Sequence, residues 1–337
     1  MRWDHLRLDG DGGPEPPLIE RRAVARTFDT PEFRGMTFYE VHAKTIVNKV
    51  PEASRLPFRW TINPYRGCSH ACPYCYARRT HEYLDLDSGA DFDSRIVVKV
   101  NAAERVRAEL AAPRWRGEHI AMGTNVDCYQ RAEGRYRLMP GILAALTEAA
   151  NPFSILTKGS LILRDLPLLE EAAARTRVSA AVSVGSVDRD LGRLVEPGAP
   201  PPQRRLEVCA ALNDAGIGCG VLMGPVIPYL SDSPAQLEAA VRQIAEAGAT
   251  SVSAIVLHLR PGAREWFLSW LREHHPELVA PYARLYRGGA YAPREYQERI
   301  TARVRELAAA YGVGGRASHR PAAPPPPPAR PEQLTLL

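Results

Sequence analysis

Short apolar runs alternate with longer amphipathic stretches through the centre of this 337-residue chain. The runs lie at 60–62, 119–122, 153–157, 178–184, 217–223 and 251–257. Stretches of helical periodicity follow at 137–150, 166–175, 202–215, 234–247 and 264–273. Runs of this length predict strands, and their alternation with helices predicts an α/β fold with a six-stranded parallel sheet. Periodicity alone does not choose between barrel-like closure and a flat, doubly wound sheet. Between the first two runs, 77–84 and 102–111 read as helices and 96–100 as extended chain, with Asn101 placed to cap the second helix. Beyond the repeat, 276–312 reads as helical.

The two ends differ from this centre. Residues 1–35 are rich in Gly, Pro and charge and predict an irregular N-terminal arm. Pro324 to Pro328 form five consecutive prolines, which predict a polyproline II spacer within a disordered, Pro-rich C-terminal tail. The expected divisions are an arm at 1–54, the main α/β unit at 55–275, a helical extension at 276–315 and the tail at 316–337. Hydrophobic residues are 45% and charged ones 24% of the chain, as in soluble proteins. No run reaches the ~18 apolar residues of a membrane span. The opening Met-Arg-Trp-Asp-His has no apolar signal-peptide core, so a cytoplasmic chain is expected. The net charge of +5 permits a polyanionic partner without requiring one.

The densest chemistry is Cys68-Ser-His-Ala-Cys72-Pro-Tyr-Cys75, three thiols in one loop. Cys128, Cys209 and Cys219 lie apart and make no second paired motif. A clustered triplet in a chain this size points to metal rather than to disulfides. Three readings stay open: an iron–sulfur cluster, a zinc site with His70 or His81 as fourth ligand, and ordinary buried thiols. A four-iron cubane is usually held by four thiolates. Three alone would leave one iron open to a small molecule.

At these residues the sequence resembles the radical S-adenosylmethionine (SAM) superfamily, whose signature is Cys-x3-Cys-x2-Cys with an aromatic before the last cysteine, here Tyr74. Asn63-Pro-Tyr-Arg-Gly-Cys68 and Tyr76-Ala-Arg78 resemble the branch related to spore photoproduct lyase. The resemblance covers roughly 55–315 and implies a partial TIM barrel, a (β/α)6 core. It implies a [4Fe-4S] cluster on Cys68, Cys72 and Cys75, with SAM chelating the open iron. It further implies reductive cleavage of SAM to a 5′-deoxyadenosyl radical that abstracts hydrogen from a substrate, with the electron coming from a reductant such as flavodoxin or ferredoxin.

In parallel α/β folds, ligands meet the C-terminal ends of strands. The resemblance implies that Gly123, Thr124 and Asn125 contact the amino group of SAM, with Asp127, Tyr129 and Gln130 placed towards substrate. Lys158 is expected to pair with the SAM carboxylate, and Ser183 to donate a further hydrogen bond. Glu196 with Arg204 or Arg205 reads equally as an ion pair, a cleft lining or a helix-surface charge. Met223, Pro225 and Pro228 are candidates for an apolar wall against adenine, and His258 and Arg260 for substrate contact. The lyase branch uses a cysteine hydrogen donor near the start of the Gly123 segment, where this chain has Gly123 or Thr124. Its thymine-dimer repair activity is therefore not carried over. Cys128 reads first as a buried structural thiol and second as a hydrogen relay.

The last residues, Gln333-Leu334-Thr335-Leu336-Leu337, resemble the short peptides that dock on the bacterial sliding clamp. A DNA- or nucleotide-related substrate is the leading expectation. One competing reading is a metal-containing, nucleic-acid-binding adaptor that does not cleave SAM; another, modification of a peptide or small metabolite, is disfavoured by the lack of a second cysteine cluster.

Overall fold

Each of the six apolar runs forms a strand, and all six run parallel in one sheet. In this computed structural model the described residues are 23–313, without 53 and 55. The proline spacer and the clamp-like motif at 333–337 lie outside them. The strands in chain order are β1 (Val24–Arg26), β2 (Thr37–Val41), β3 (Val47–Lys49), β4 (Trp60–Ile62), β5 (Tyr65–Arg66), β6 (Arg95–Lys99), β7 (Ile120–Met122), β8 (Phe153–Thr157), β9 (Val178–Ser183), β10 (Cys219–Val226) and β11 (Val252–Val256). The main sheet has the order β11-β10-β9-β8-β7-β4-β3, with β3 antiparallel at one edge. Parallel neighbours demand crossover connections, and the amphipathic stretches supply them.

The helices are α1 (Ala90–Ser94), α2 (Ala102–Leu110), α3 (Arg131–Tyr136), α4 (Leu138–Glu148), α5 (Leu166–Arg175), α6 (Arg189–Val195), α7 (Pro202–Asp214), α8 (Pro234–Glu246), α9 (Ala263–His274), α10 (Val279–Leu285) and α11 (Arg294–Ala310). Helix α8 illustrates why they form where they do. Ser233 and Gln236 make a reciprocal capping box, a proline occupies the first turn, and Leu237, Ala240, Val241 and Ile244 share the buried face. No helix among the described residues is long and apolar enough to cross a membrane.

Two local expectations need correction, the irregular arm and the Asn101 cap. The expected arm is not irregular over 24–49, where it supplies β1, β2 and β3. β2 lies inside a second sheet of order β1-β2-β6-β5. Successive side chains of Thr-Phe-Tyr-Glu-Val point to opposite faces, so the adjacent Phe38 and Tyr39 bury in two different cores, a pattern that the Gly/Pro content of the flank obscures. The stretch after the cysteines is helical as expected, in 3-10 form (Tyr76–Leu84). Its buried Arg78, His81 and Leu84 recur every three residues, the period that aligns one face of a 3-10 helix. Asn101 does not cap α2. Its side-chain oxygen accepts from the Ala43 N–H at 2.8 Å and its amide donates to the Ala43 carbonyl at 3.0 Å, tying the N-terminal segment down.

The second sheet has its own core of Met36, Phe38, Tyr65, Phe92, Ile96 and Val98, which also includes Cys68. β5 runs from this core directly into the cysteine loop, so the small sheet fixes where that loop begins. Phe38 is fully buried and meets Phe28 and Phe33 at ring separations of 5.4 and 5.3 Å. Phe38→Ala is expected to lower the unfolding free energy by about 3–5 kcal/mol, read from the denaturant midpoint at unchanged slope.

Candidate active site

A loop carrying three thiols at the sheet's edge must find partners for its own backbone. Three turn bonds are local: Ala71 N–H to Cys68 O, Cys75 N–H to Cys72 O and Arg78 N–H to Cys75 O. The rest come from afar. The Gln130 side chain accepts from the Ser69 N–H and donates to the Gly67 carbonyl, both at 2.9 Å. The Gly198 N–H donates to the His70 carbonyl at 3.2 Å. A Cβ at Gly198 would stand 1.8 Å from the Ser69 oxygen, so only glycine allows this approach. Arg78, fully buried, gives two bonds to the Cys72 carbonyl, one to Gly89 O at 2.8 Å and a forked pair to Asp93 at 2.8 and 2.9 Å. Arg78 figured in the sequence only as part of a flanking motif. Its anchoring role needs the loop and Asp93 brought together.

Next to this loop, the strand ends form one buried polar network. Lys158, just past β8, donates to Ser183 Oγ at 3.0 Å and lies 3.8 Å from Glu196. Ser183 Oγ donates in turn to the Gly224 carbonyl at 2.9 Å. Arg205 pairs with Glu196 and donates to Ser183 O at 2.9 Å. Tyr74 donates its hydroxyl to Glu196, with Lys158 Nζ 5.9 Å from its ring centre. Burial pushes the Glu196 carboxyl up, but Arg205 and Lys158 outweigh it and hold the group at about 2. Burial opposes the charge on Lys158, while Glu196 and Cys72 favour it and raise it above the ordinary lysine value.

Asp127 joins the network to the loop. It accepts from Thr157 Oγ1 at 2.7 Å, from the Lys158 N–H at 2.6 Å and from the Tyr129 N–H at 2.9 Å. Its other neighbour is His70 Nδ1 at 3.5 Å. Asp127 thus braces the site internally. Gly123 has φ +77°, and a Cβ there would meet Leu156 O at 1.7 Å. That close approach brings Thr124 and Asn125, both half-buried, to the end of β7. The Thr124 carbonyl accepts from the Tyr76 hydroxyl.

The remaining candidates separate. Arg204 makes an exposed pair with Glu207 at 2.6 Å, so Arg205 is the member that enters the site. Met223 is fully buried and Pro228 is buried, while Pro225 is half-buried. His258 and Arg260 stand beyond β11 beside Tyr76. Cys128 is fully buried in the main core. Tyr129 turns its hydroxyl to Asp165 at 3.1 Å. Sequence reasoning missed Glu133, fully buried and bound by Arg164 at 2.6 Å and Tyr65 at 2.5 Å. No spacing pattern connects those three residues.

The donor set suits a cationic centre. Burial, then the charges of Asp127, Cys72 and Cys75, push the Cys68 thiol well above its usual range. Burial likewise pushes Cys72 to about 12, opposed by Lys158, and raises Cys75, opposed by Arg78 and Lys158. Three thiolates this close are disfavoured alone and favoured around a metal, which replaces their protons. No three His, Cys, Asp or Glu side chains among the described residues are arranged around one metal ion. In a cubane each thiolate ligates its own iron, so that convergence is not required. His70 faces Asp127, and His81 Nε2 lies 2.9 Å from the Arg95 carbonyl with its ring against Phe92.

A family model described as the radical SAM superfamily matches residues 62–241. An uncharacterized protein of Mycobacterium tuberculosis is 50% identical over 341 residues, covering 100% of both chains. An uncharacterized protein of Methanocaldococcus jannaschii is 29% identical over 195 residues, covering 57% of this chain and 69% of its own. Among solved structures, a spore photoproduct lyase mutant with bound AdoMet and dinucleoside spore photoproduct superposes with a TM-score of 0.63. It is 14% identical and covers 82% of this chain and 80% of its own, a likeness of fold.

Two outcomes test this geometry. Glu196 has a depressed folded value, so its contribution is present above the usual glutamate value of about 4.5 and fades as pH falls towards 2. Glu196→Gln should flatten the pH dependence of the denaturant midpoint across that window. Arg78→Met strands Asp93 and the Cys72 carbonyl and should cost about 3–5 kcal/mol of stability in the same assay.

Proposed function

The chain belongs to the radical SAM superfamily, and we propose that Cys68, Cys72 and Cys75 hold a [4Fe-4S] cluster with SAM at the iron they leave open. When bound, these groups supply hydrogen-atom abstraction by a 5′-deoxyadenosyl radical. The observation that carries this reading is the meeting of a three-thiol loop, with Cys68 and Cys72 buried, and the Lys158–Ser183–Glu196–Arg205 network at the strand ends.

The chain's own residues divide the remaining work. Lys158, protonated and beside Ser183, is suited to the SAM carboxylate. Glu196, held by Arg205 and Tyr74, keeps the lysine at that place. Gly123 lets the backbone come close, and Thr124 and Asn125 offer oxygen atoms to the SAM amino group. Gln130 and Arg78 hold the loop's shape. Burial of Cys68 and Cys72 keeps water from the reduced centre. A flavodoxin or ferredoxin is the reductant that such chemistry calls for. A DNA- or nucleotide-derived substrate is supported by the flanking motifs and the net charge of +5. The thymine-dimer reaction is not assigned, and Cys128, sealed in the core, is given no relay role.

Anaerobic reconstitution with iron and sulfide decides between this enzyme and a metal-bearing adaptor. The reconstituted chain with SAM and a strong reductant should release 5′-deoxyadenosine. Cys68→Ala, Cys72→Ala and Cys75→Ala should each lose bound iron. Lys158→Met should weaken SAM binding roughly ten- to a hundredfold, as expected when a charged hydrogen bond is removed. Zinc in the anaerobically isolated protein, or nucleic-acid binding with no SAM cleavage, would reject the enzyme reading.

A further inference from the structure

At the mouth of the site three rings lie in series. Tyr76, directly after Cys75, stacks on His258 at 5.7 Å and 30°. His258 stacks on Tyr291 at 5.6 Å and 11°. Arg260 closes the group, donating to the Tyr291 hydroxyl at 2.9 Å with its guanidinium 5.8 Å from the Tyr76 ring centre. The arrangement is held by backbone. His258 and Tyr291 form an antiparallel bridge, and the Leu259 N–H donates to the Ala290 carbonyl at 2.7 Å. Arg264 secures the Gly289 carbonyl behind it at 3.0 Å.

This stack is open to solvent, although it sits beside the cysteine loop. Tyr291 is 52% and Tyr76 39% exposed. The rings are already closed against one another, so a further ring has to lie on the free face of Tyr291. Arg260 is exposed and has no carboxylate partner among the described residues. Burial, then Arg260, holds His258 below its usual value, so its ring is neutral near pH 7. The surface therefore offers a flat aromatic face with an available cation at its edge.

We propose that Tyr291, His258 and Tyr76, with Arg260, form a stacking platform for single-stranded nucleic acid, on which one base lies on Tyr291 and its phosphate meets Arg260. Base stacking on an aromatic side chain tolerates any base, and a guanidinium at the ring edge supplies the phosphate contact. Tyr76 links the platform to the Thr124 carbonyl and to Cys75, so a strand seated there lies alongside the reactive loop. This inference rests on the enzyme reading above for its meaning, but its binding step is independent of it.

Fluorescence anisotropy of the full chain with a labelled thymidine oligonucleotide of about twelve residues tests the platform. Tyr291→Ala and Tyr291→Leu should each weaken binding roughly five- to a hundredfold, since both remove the π-face and only one removes apolar cover. Arg260→Gln should reduce the slope of log affinity against log salt by about 0.7, the value for one lost phosphate contact on a single strand. Three results would overturn the proposal: no oligonucleotide binding by the wild type, unchanged affinity in Tyr291→Leu, or equal displacement by an acidic peptide of the same charge. Release of 5′-deoxyadenosine without oligonucleotide reports separately on the enzyme reading, so either idea can fail alone.

Discussion

A loop that buries two of its three thiols also buries backbone that it cannot satisfy by itself, and much of the surrounding polar chemistry answers that need. Unpaired buried N–H and C=O groups are costly, so partners must come from elsewhere in the chain. Gln130 supplies a matched donor and acceptor to Ser69 and Gly67, Gly198 reaches His70, and Arg78 takes the Cys72 carbonyl. Each contact draws a different element to the loop. Gln130 ends the segment after β7, Gly198 lies between β9 and α7, and Arg78 is on the 3-10 helix. The loop's shape is thus held from three directions before any cofactor is considered.

The second organising force is charge. Glu196 stands among Arg205, Lys158 and the Tyr74 hydroxyl, and is ionised despite its burial. Lys158 is charged for the reciprocal reason. Burial raises the Cys72 and Cys75 thiols, and the Lys158 charge works against that rise at both. An isolated buried ion pair is weak support for stability. Here it doubles as a means of placing a lysine at a strand end with its charge intact.

The small sheet explains how the loop's entry is fixed. β5 pairs with β6, and β6 with β2, so the strand feeding Cys68 is anchored to residues 37–41. The Cys68 N–H donates to Phe92 O at 2.9 Å within the same core. Composition concealed this second unit because Gly, Pro and charge dominate its flank, whereas β2 is only five residues long and buries two adjacent aromatics instead of alternating.

The sequence by itself determined the parallel rhythm, the cysteine triplet and the strand-end residues at 123–125, 158 and 183, because strand periodicity and short motifs are local properties of the chain. Glu196 and its two neighbouring arginines were visible as residues but not as a pair, since Arg204 and Arg205 differ only in which side of α7 they occupy. Which one turns inward is decided by the helix's rotation against β9. Glu133, Arg164 and Tyr65 meet across some hundred residues, and the Tyr76–His258–Tyr291 stack joins three separate segments. Packing alone brings such groups together, because a contact between distant residues leaves no period or spacing for the sequence to display.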